Sequence, residues 1–360
     1  MTEKTFATYW DEQTVEHIRK GFYSALYFNR TKQILLQEKK PQTITIQIFQ
    51  KKTSVLCGIE QVIALLKVGT GYFEKDKWID TSSEIEIESL SDGDTIAPWE
   101  TVMHITGPYA YFAHLESLYL GILARQTKIA TNTSHVAKAA QNKPVFFFAD
   151  RFDYFFNQSL DGYAAVVGGA AAVSTPAQGS LITANVVGTI PHALIAVHHG
   201  RTVDAAYSFV KEFPSVPLIV LVDFDNDCVG TALAVARKFK KKLFAVRLDT
   251  SEMLVDKSLQ KTDKKAFGVH PQLVKNVRAA LDREGFSWVK IVVSGGFTAE
   301  KINSFENESI PVDMYGVGSS LLTGNNDFTA DCVKVNGKLL AKEGREYKAN
   351  KRLHKKILHK

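Results

Sequence analysis

Cysteine is scarce in this chain, three among 360 residues. Cys57, Cys228 and Cys332 share no CxxC and no pairing spacing, which argues against a disulfide framework and a structural zinc site and predicts a reducing, cytoplasmic setting. Long apolar runs are missing too. Nothing approaches the roughly 18 residues of a membrane span, and Met1–Trp10 lacks the basic and apolar regions of a leader peptide. An excess of positive charge is missing from the body of the chain. The formal net charge is +6, yet the last sixteen residues carry Arg345, Lys348, Lys351, Arg352, Lys355, Lys356 and Lys360 against Glu346 alone. The rest balances to zero, so neither nucleic acid nor membrane is an expected partner, and 346–360 reads as a solvated basic tail. With 45% hydrophobic and 23% charged residues, the composition is that of a soluble enzyme, and the length suits about two domains.

The texture changes near residue 110. Before it, Thr43–Gln50 alternates as a strand with one wet face, and Glu84–Glu88 alternates likewise. Gly93-Asp94 is a turn, Thr101–Thr106 is β-like and Ile59–Leu66 is helical. Residues 1–110 therefore read as an α/β sandwich. From Tyr111 to 327 the pattern is strand, loop, helix, repeated. A helix is expected over His114–Ala130 and another over Leu160–Gly168, while Leu181–Val187 is ambiguous between strand and loop. The strands are Val145–Phe148, Pro217–Val222, Leu243–Leu248, Lys290–Val293 and Val312–Tyr315. Near-continuous apolar strands alternating with helices mean a parallel sheet covered on its faces, here an irregular β/α barrel. Residues 328–345, with a hairpin turn at Asn336-Gly337, are expected to return to the first domain.

Two glycine segments carry the most chemistry: Ser294-Gly295-Gly296 and Gly316-Val317-Gly318-Ser319. Each follows a buried strand and precedes a plausible helix start. Glycine lets backbone approach an anion, and the last two βα loops of a barrel form a phosphate site. The ends of the other strands add Arg151, Asp223, Arg247 and Asp249. Two arginines, several carboxylates and two phosphate loops suit an anionic, phosphorylated substrate and a divalent cation.

Several of these residues also have structural readings. Asp223–Asp227 resembles the start of an EF-hand, but Cys228 and Ala234 occupy the positions that need glycine and glutamate, which excludes calcium. Asp225 or Asp227 can cap the following helix. Arg247 and Asp249 share a strand face and can form a structural ion pair. Arg151 can be a surface arginine. His192, after Gly188-Thr189-Ile190-Pro191, stands at a helix start, either as a nucleophile or acid–base group or as a packed ring. His198-His199 reads as a surface pair.

Together, Gly188–Leu194, Arg247–Thr250, Val293–Gly296 and Gly316–Ser319 resemble the nicotinate phosphoribosyltransferase family, in its compact bacterial and archaeal branch. Ser24–Thr31, the Glu116 helix and Phe147–Arg151 extend the similarity in collinear order across about residues 15–345. The resemblance implies a type II phosphoribosyltransferase fold, an α/β sandwich plus an incomplete α/β barrel. It implies an ATP-dependent, ligase-type enzyme of NAD biosynthesis that joins nicotinate to phosphoribosyl pyrophosphate, with ATP hydrolysis coupled through a phosphohistidine at His192. By the same carry-over Arg151 faces the nicotinate carboxylate or a phosphate. Thr189 lies in the substrate site. Asp223 and Asp249 touch ribose or Mg²⁺, and Arg247 lies near the pyrophosphate. Ser294, Gly295, Gly296, Gly316, Val317, Gly318 and Ser319 hold the 5′-phosphate. Tyr27 comes from the partner subunit of a homodimer.

The chain departs from the family pattern in three places. It lacks the cysteine-rich zinc knob of some relatives, so no zinc is expected. Ser251–Lys257 lacks a basic, glycine-containing turn, and Ala170–Ala177 is unusually small and apolar. The last two leave weakened ATP coupling or an altered substrate open. Three other readings stay beside this one. A quinolinate phosphoribosyltransferase would share the fold without the ATP coupling. A barrel lyase or isomerase would need a Schiff-base lysine, for which Lys290 is badly placed at its strand start. A catalytically silent relative would keep the loops and bind a pyridine nucleotide as a sensor.

Overall fold

The computed structural model describes residues 9–39, 42–260 and 265–356. The chain forms two compact units, one of 1–131 with 324–360 and one of 132–323.

In the first unit a six-stranded sheet is centred on Thr43–Gln50, flanked by Thr101–Pro108 and Phe328–Val335, both antiparallel to it. The Phe328–Val335 strand turns at Asn336-Gly337 into Lys338–Leu339. Ile44, Ile46 and Ile48, two residues apart, share one face and enter the core with Ile59, Val62, Leu65 and Leu66 of the Ile59–Gly69 helix. That core also takes Tyr119 and Leu123 from the start of the Glu116–Ala139 helix. The change of texture at residue 110 is thus not the unit boundary. It marks the end of a strand, and the boundary falls inside the next helix, at Thr131/Asn132. The second crossing falls at Thr323/Gly324 rather than 327/328.

The wet face expected of Thr43–Gln50 is covered. Gln47 is buried, and its side chain accepts a hydrogen bond from Lys348 N (2.8 Å) and donates to Glu346 O (3.4 Å). His104, opposite Gln47 in register, stacks on Tyr347 with ring centroids 5.1 Å apart. Asn350 donates to Thr101 O (2.8 Å), and Arg352 pairs with Glu100 (2.7 Å). His354–Lys356 then joins Glu86–Ser89 as an antiparallel edge strand. Residues 346–356 are therefore a strap across the sheet, not a solvated tail; 357–360 lie outside the described residues. Charge composition misled because the strap binds through backbone groups, Asn350, Arg352 and Tyr347, while Lys348, Lys351 and Lys355 stay exposed.

The second unit holds seven parallel strands. Their spatial order, named by first residue, is 185, 172, 145, 314, 290, 243, 218. Asn185–Val186 and Leu218–Leu221 are successive in sequence yet form opposite edges, so the sheet curls into a barrel that does not close as a ladder. The segment between them leaves one edge at Val187 and reaches the other at Ile190. Val187 N donates to Val173 O (2.9 Å) and Ile190 N to Ile219 O (3.3 Å). Phe146, Ala172, Ile219, Ala245, Val292 and Met314 fill the interior. Alternate residues such as Phe147, Val246 and Val293 are equally buried, which is why these strands read as continuous apolar runs. Leu181–Val187, ambiguous in sequence, contains the two-residue edge strand. Among the described residues no helix is long and apolar enough to cross a membrane.

Truncation after Tyr347 removes the edge strand and the Asn350 and Arg352 ties. It is expected to cost about 2 kcal/mol and lower the melting temperature by about 4–8 °C, measured by calorimetry. An unchanged melting temperature would return this segment to the status of a free tail.

Candidate functional site

The carboxyl ends of the parallel strands converge on a cavity of about 280 Å³ in the second unit. Arg247, near the end of Leu243–Leu248, is its hub. Its Nε donates to Ser294 Oγ (2.8 Å), its Nη1 to Thr189 Oγ1 (3.0 Å), and its Nη2 lies 3.4 Å from Asp249 Oδ2. Ser294 Oγ in turn donates to Asp249 Oδ1 (2.7 Å). The guanidinium lies 4.9 Å over the Phe148 ring. Arg247 and Asp249 are thus an ion pair and cavity residues at once.

The first glycine loop turns through Gly295 (φ 85°) and Gly296 (φ 64°), a backbone that side chains rarely adopt. At Gly316 a Cβ would fall 2.6 Å from Phe148 Cε2, so only glycine lets that ring pack under the second loop. Among the described residues the backbone N–H groups of Gly295, Gly296, Gly318 and Ser319 donate to no protein acceptor. Unpaired donors beside a cavity suit an anion. Gly318 and Ser319 line the cavity, and the helix that starts there is a single 3-10 turn, Ser319–Leu322. Val317 does not join them. It ends its strand, buried, with its carbonyl accepting from Phe148 N (2.8 Å).

A second cavity of about 260 Å³ adjoins the first, and Asp249 lines both. His192, the first residue of a short helix, meets Asp223 there, Nε2 to Oδ2 3.0 Å. This bond is the main reason that the His192 pKa lies above its ordinary value. Partial burial opposes the shift, Asp249 adds to it, and Arg247 subtracts from it. Among the described residues nothing hydrogen-bonds the buried Asp223 Oδ1. Asn226, held at φ 54°, closes the turn after Asp223 (Asn226 N to Asp223 O, 3.0 Å). Asp227 caps the helix at Cys228 by accepting from Gly230 N (3.0 Å).

Arg151 lines the first cavity beside Phe152, with its guanidinium 5.7 Å from that ring. No carboxylate pairs with it among the described residues. Tyr27 belongs to the first unit, in the first turn of Leu26–Gln37, with its ring exposed. Sequence reasoning missed Phe148, Asp150 and Ser174, which also line the cavity. Phe148 was legible as the residue after an aromatic strand. Ser174 follows a strand of only two residues, Ala172–Val173, too short to leave a periodic signal.

The family model of the quinolinate phosphoribosyl transferase N-terminal domain matches residues 25–127. The chain is 30% identical over 254 residues to the nicotinate phosphoribosyltransferase pncB1 of Mycobacterium tuberculosis, covering 69% of this chain and 52% of that one. It therefore spans about half the length of that relative. A solved structure of the nicotinate-nucleotide pyrophosphorylase from Pyrococcus furiosus superimposes with a TM-score of 0.78 at 31% identity, over 96% of this chain and 85% of that one. Human nicotinic acid phosphoribosyltransferase shares the fold, with a TM-score of 0.65 at 15% identity over 88% and 75% of the two chains.

The raised His192 pKa means that the His192–Asp223 pair stabilises the fold fully below the ordinary histidine value and loses that contribution as pH rises through the folded value. Histidine-resolved NMR titration should place His192 above about 6.5. Asp223→Asn should bring it down to or below that figure. An unshifted titration in the variant would show that Asp223 does not set it.

Proposed function

The chain belongs to the nicotinate phosphoribosyltransferase family, and on that premise we propose that it makes nicotinate mononucleotide and pyrophosphate from nicotinate and phosphoribosyl pyrophosphate, with ATP as co-substrate. The observation that carries the reading is the first cavity. It combines unpaired loop N–H donors for a phosphate, an ion-paired Arg247–Asp249 hub, and one arginine, Arg151, without a carboxylate partner among the described residues. In this reading Gly295, Gly296, Gly318 and Ser319 take the 5′-phosphate. Arg247 faces the pyrophosphate. Asp223 and Asp249 stand by the ribose, where the C1–O bond breaks with its electron pair leaving on pyrophosphate. The carboxylates stabilise the positive charge that develops on the ring, and the pyridine nitrogen lone pair then forms the new bond to C1. Arg151 matches a single carboxylate in two-point contact, which favours nicotinate over its amide and over the dicarboxylate quinolinate.

Mg²⁺ fits the donor set. It commonly uses one or two carboxylates plus substrate phosphates, and Asp223 Oδ1 is an orphaned buried oxygen beside Asp249. When bound, the ion would withdraw charge from the leaving pyrophosphate. With the Nε2 proton of His192 directed at Asp223, Nδ1 carries the free lone pair. It would attack the γ-phosphorus of ATP, forming N–P as the bond to ADP breaks. The three cysteines, free in the structure, suit a cytoplasmic enzyme.

A homodimer with composite sites completes the reading. Phe22, Tyr23, Leu26 and Tyr27 are exposed on the first unit, and Phe152, Tyr154, Phe155 and Phe156 on the second, beside Arg151. Apolar rings left in water on both units suit a second copy, whose Tyr27 would reach the cavity. Sedimentation equilibrium returning a monomer would remove this part.

An assay of nicotinate, quinolinate and nicotinamide with phosphoribosyl pyrophosphate tests the whole reading. Nicotinate should turn over fastest, and ATP should stimulate it. His192→Ala should abolish ATP hydrolysis and the stimulation, leaving a slower ATP-independent transfer. Faster turnover of quinolinate, or equal ATP-dependent rates in variant and parent, would overturn it.

A further inference from the structure

Trp99 sits where a tryptophan does not belong. Ala97-Pro98-Trp99-Glu100 is a tight turn closed by Glu100 N to Ala97 O (3.2 Å). With proline second and φ 66° at the third residue, it has the pattern of a type II turn, which calls for glycine or asparagine there. A bulky side chain at positive φ is strained, and such strain persists where a function holds it. The ring is 43% exposed, so burial does not account for it. One neighbour is Phe49, stacked at 5.5 Å and 27°. Three cations lie over the ring as well: Arg345 at 5.4 Å from the ring centroid, Lys51 at 5.5 Å and Lys348 at 5.9 Å. Arg345 also reaches Asp331 (3.4 Å), whereas among the described residues neither lysine pairs with a carboxylate. All of these residues belong to the first unit.

A half-exposed indole ringed by three cations fits a ligand that is planar and aromatic at one end and anionic at the other. We infer that Trp99, Lys51, Lys348 and Arg345 form a second binding site for a free nucleotide, its base stacked on Trp99 and its phosphates held by the lysines and the arginine. The cations satisfy charge without fixing a base, so adenine and other bases are accommodated alike. The strap that covers the sheet supplies Lys348, and Arg345 immediately precedes it. The site therefore exists only while the strap is docked, and nucleotide bound there would hold the strap down. This inference is independent of the chemistry assigned to the barrel.

The test uses the full chain labelled with 5-fluorotryptophan. It has four tryptophans, Trp10, Trp78, Trp99 and Trp288, and Trp99→Gly assigns the resonance of interest. ADP should shift the Trp99 resonance in a saturable way. Adenosine alone and pyrophosphate alone should bind at least about 10-fold more weakly, as should ADP to the Lys51→Gln/Lys348→Gln variant. Trp99→Gly, which relieves the turn, should melt no lower than the parent. A Trp99 resonance unmoved by millimolar ADP would overturn the inference. So would a short oligonucleotide binding far more tightly than ADP, which would make the patch a nucleic-acid contact. A several-degree loss of melting temperature in Trp99→Gly would assign the ring to packing instead.

Discussion

The site depends on one guanidinium. Arg247 issues from the strand next to one edge of a parallel sheet and ties together three segments that the sheet alone leaves loose. These are the Gly188–Ile190 seam through Thr189, the first glycine loop through Ser294, and its own strand end through Asp249. A lysine has the charge but not the fork, and could not hold the three directions at once. Phe148 beneath it, and the absence of side chains at Gly316, fix the plane of the fork. Arg247 has little access to solvent and would be costly to bury unpaired. Its partners therefore satisfy it while leaving its exposed part aimed at the cavity.

The need for such a tie comes from topology. Seven parallel strands curl without closing; among the described residues the segment between the edges holds one edge through Val187 N and reaches the other through Ile190 N. The open seam has a use, because it lets His192 stand between the edges and meet Asp223, two residues past the end of the opposite edge strand. A closed ladder would have fixed this segment as strand and directed its side chains alternately into the interior and the helical shell. Incomplete closure and the placing of His192 are thus the same feature.

Much of this was legible in residues. The parallel strands declared themselves by unbroken apolar runs, and the glycine pairs marked loops that a side chain would block. Spacing put Arg247 and Asp249 on one face, and Pro191 marked the start of the His192 helix. What stayed hidden has a common cause. Two-residue strands such as Ala172–Val173 and Asn185–Val186 are too short for periodicity, so Ser174 and the seam went unseen. The strap was hidden because its hold on the sheet is made by backbone groups, Gln47 and His104, none of which composition can pair with a lysine-rich terminus. Val317 was swept into a phosphate loop by its glycine neighbours, although its own apolar side chain belonged to the strand.

The dependence of the seam on Arg247 can be measured directly by hydrogen exchange of a peptide spanning 187–194 in Arg247→Lys and the parent. The account predicts that Val187 and Ile190 are protected in the parent and exchange at least about 10-fold faster in the variant, with the rest of the sheet unchanged. Equal protection of these two amides in both proteins would contradict it.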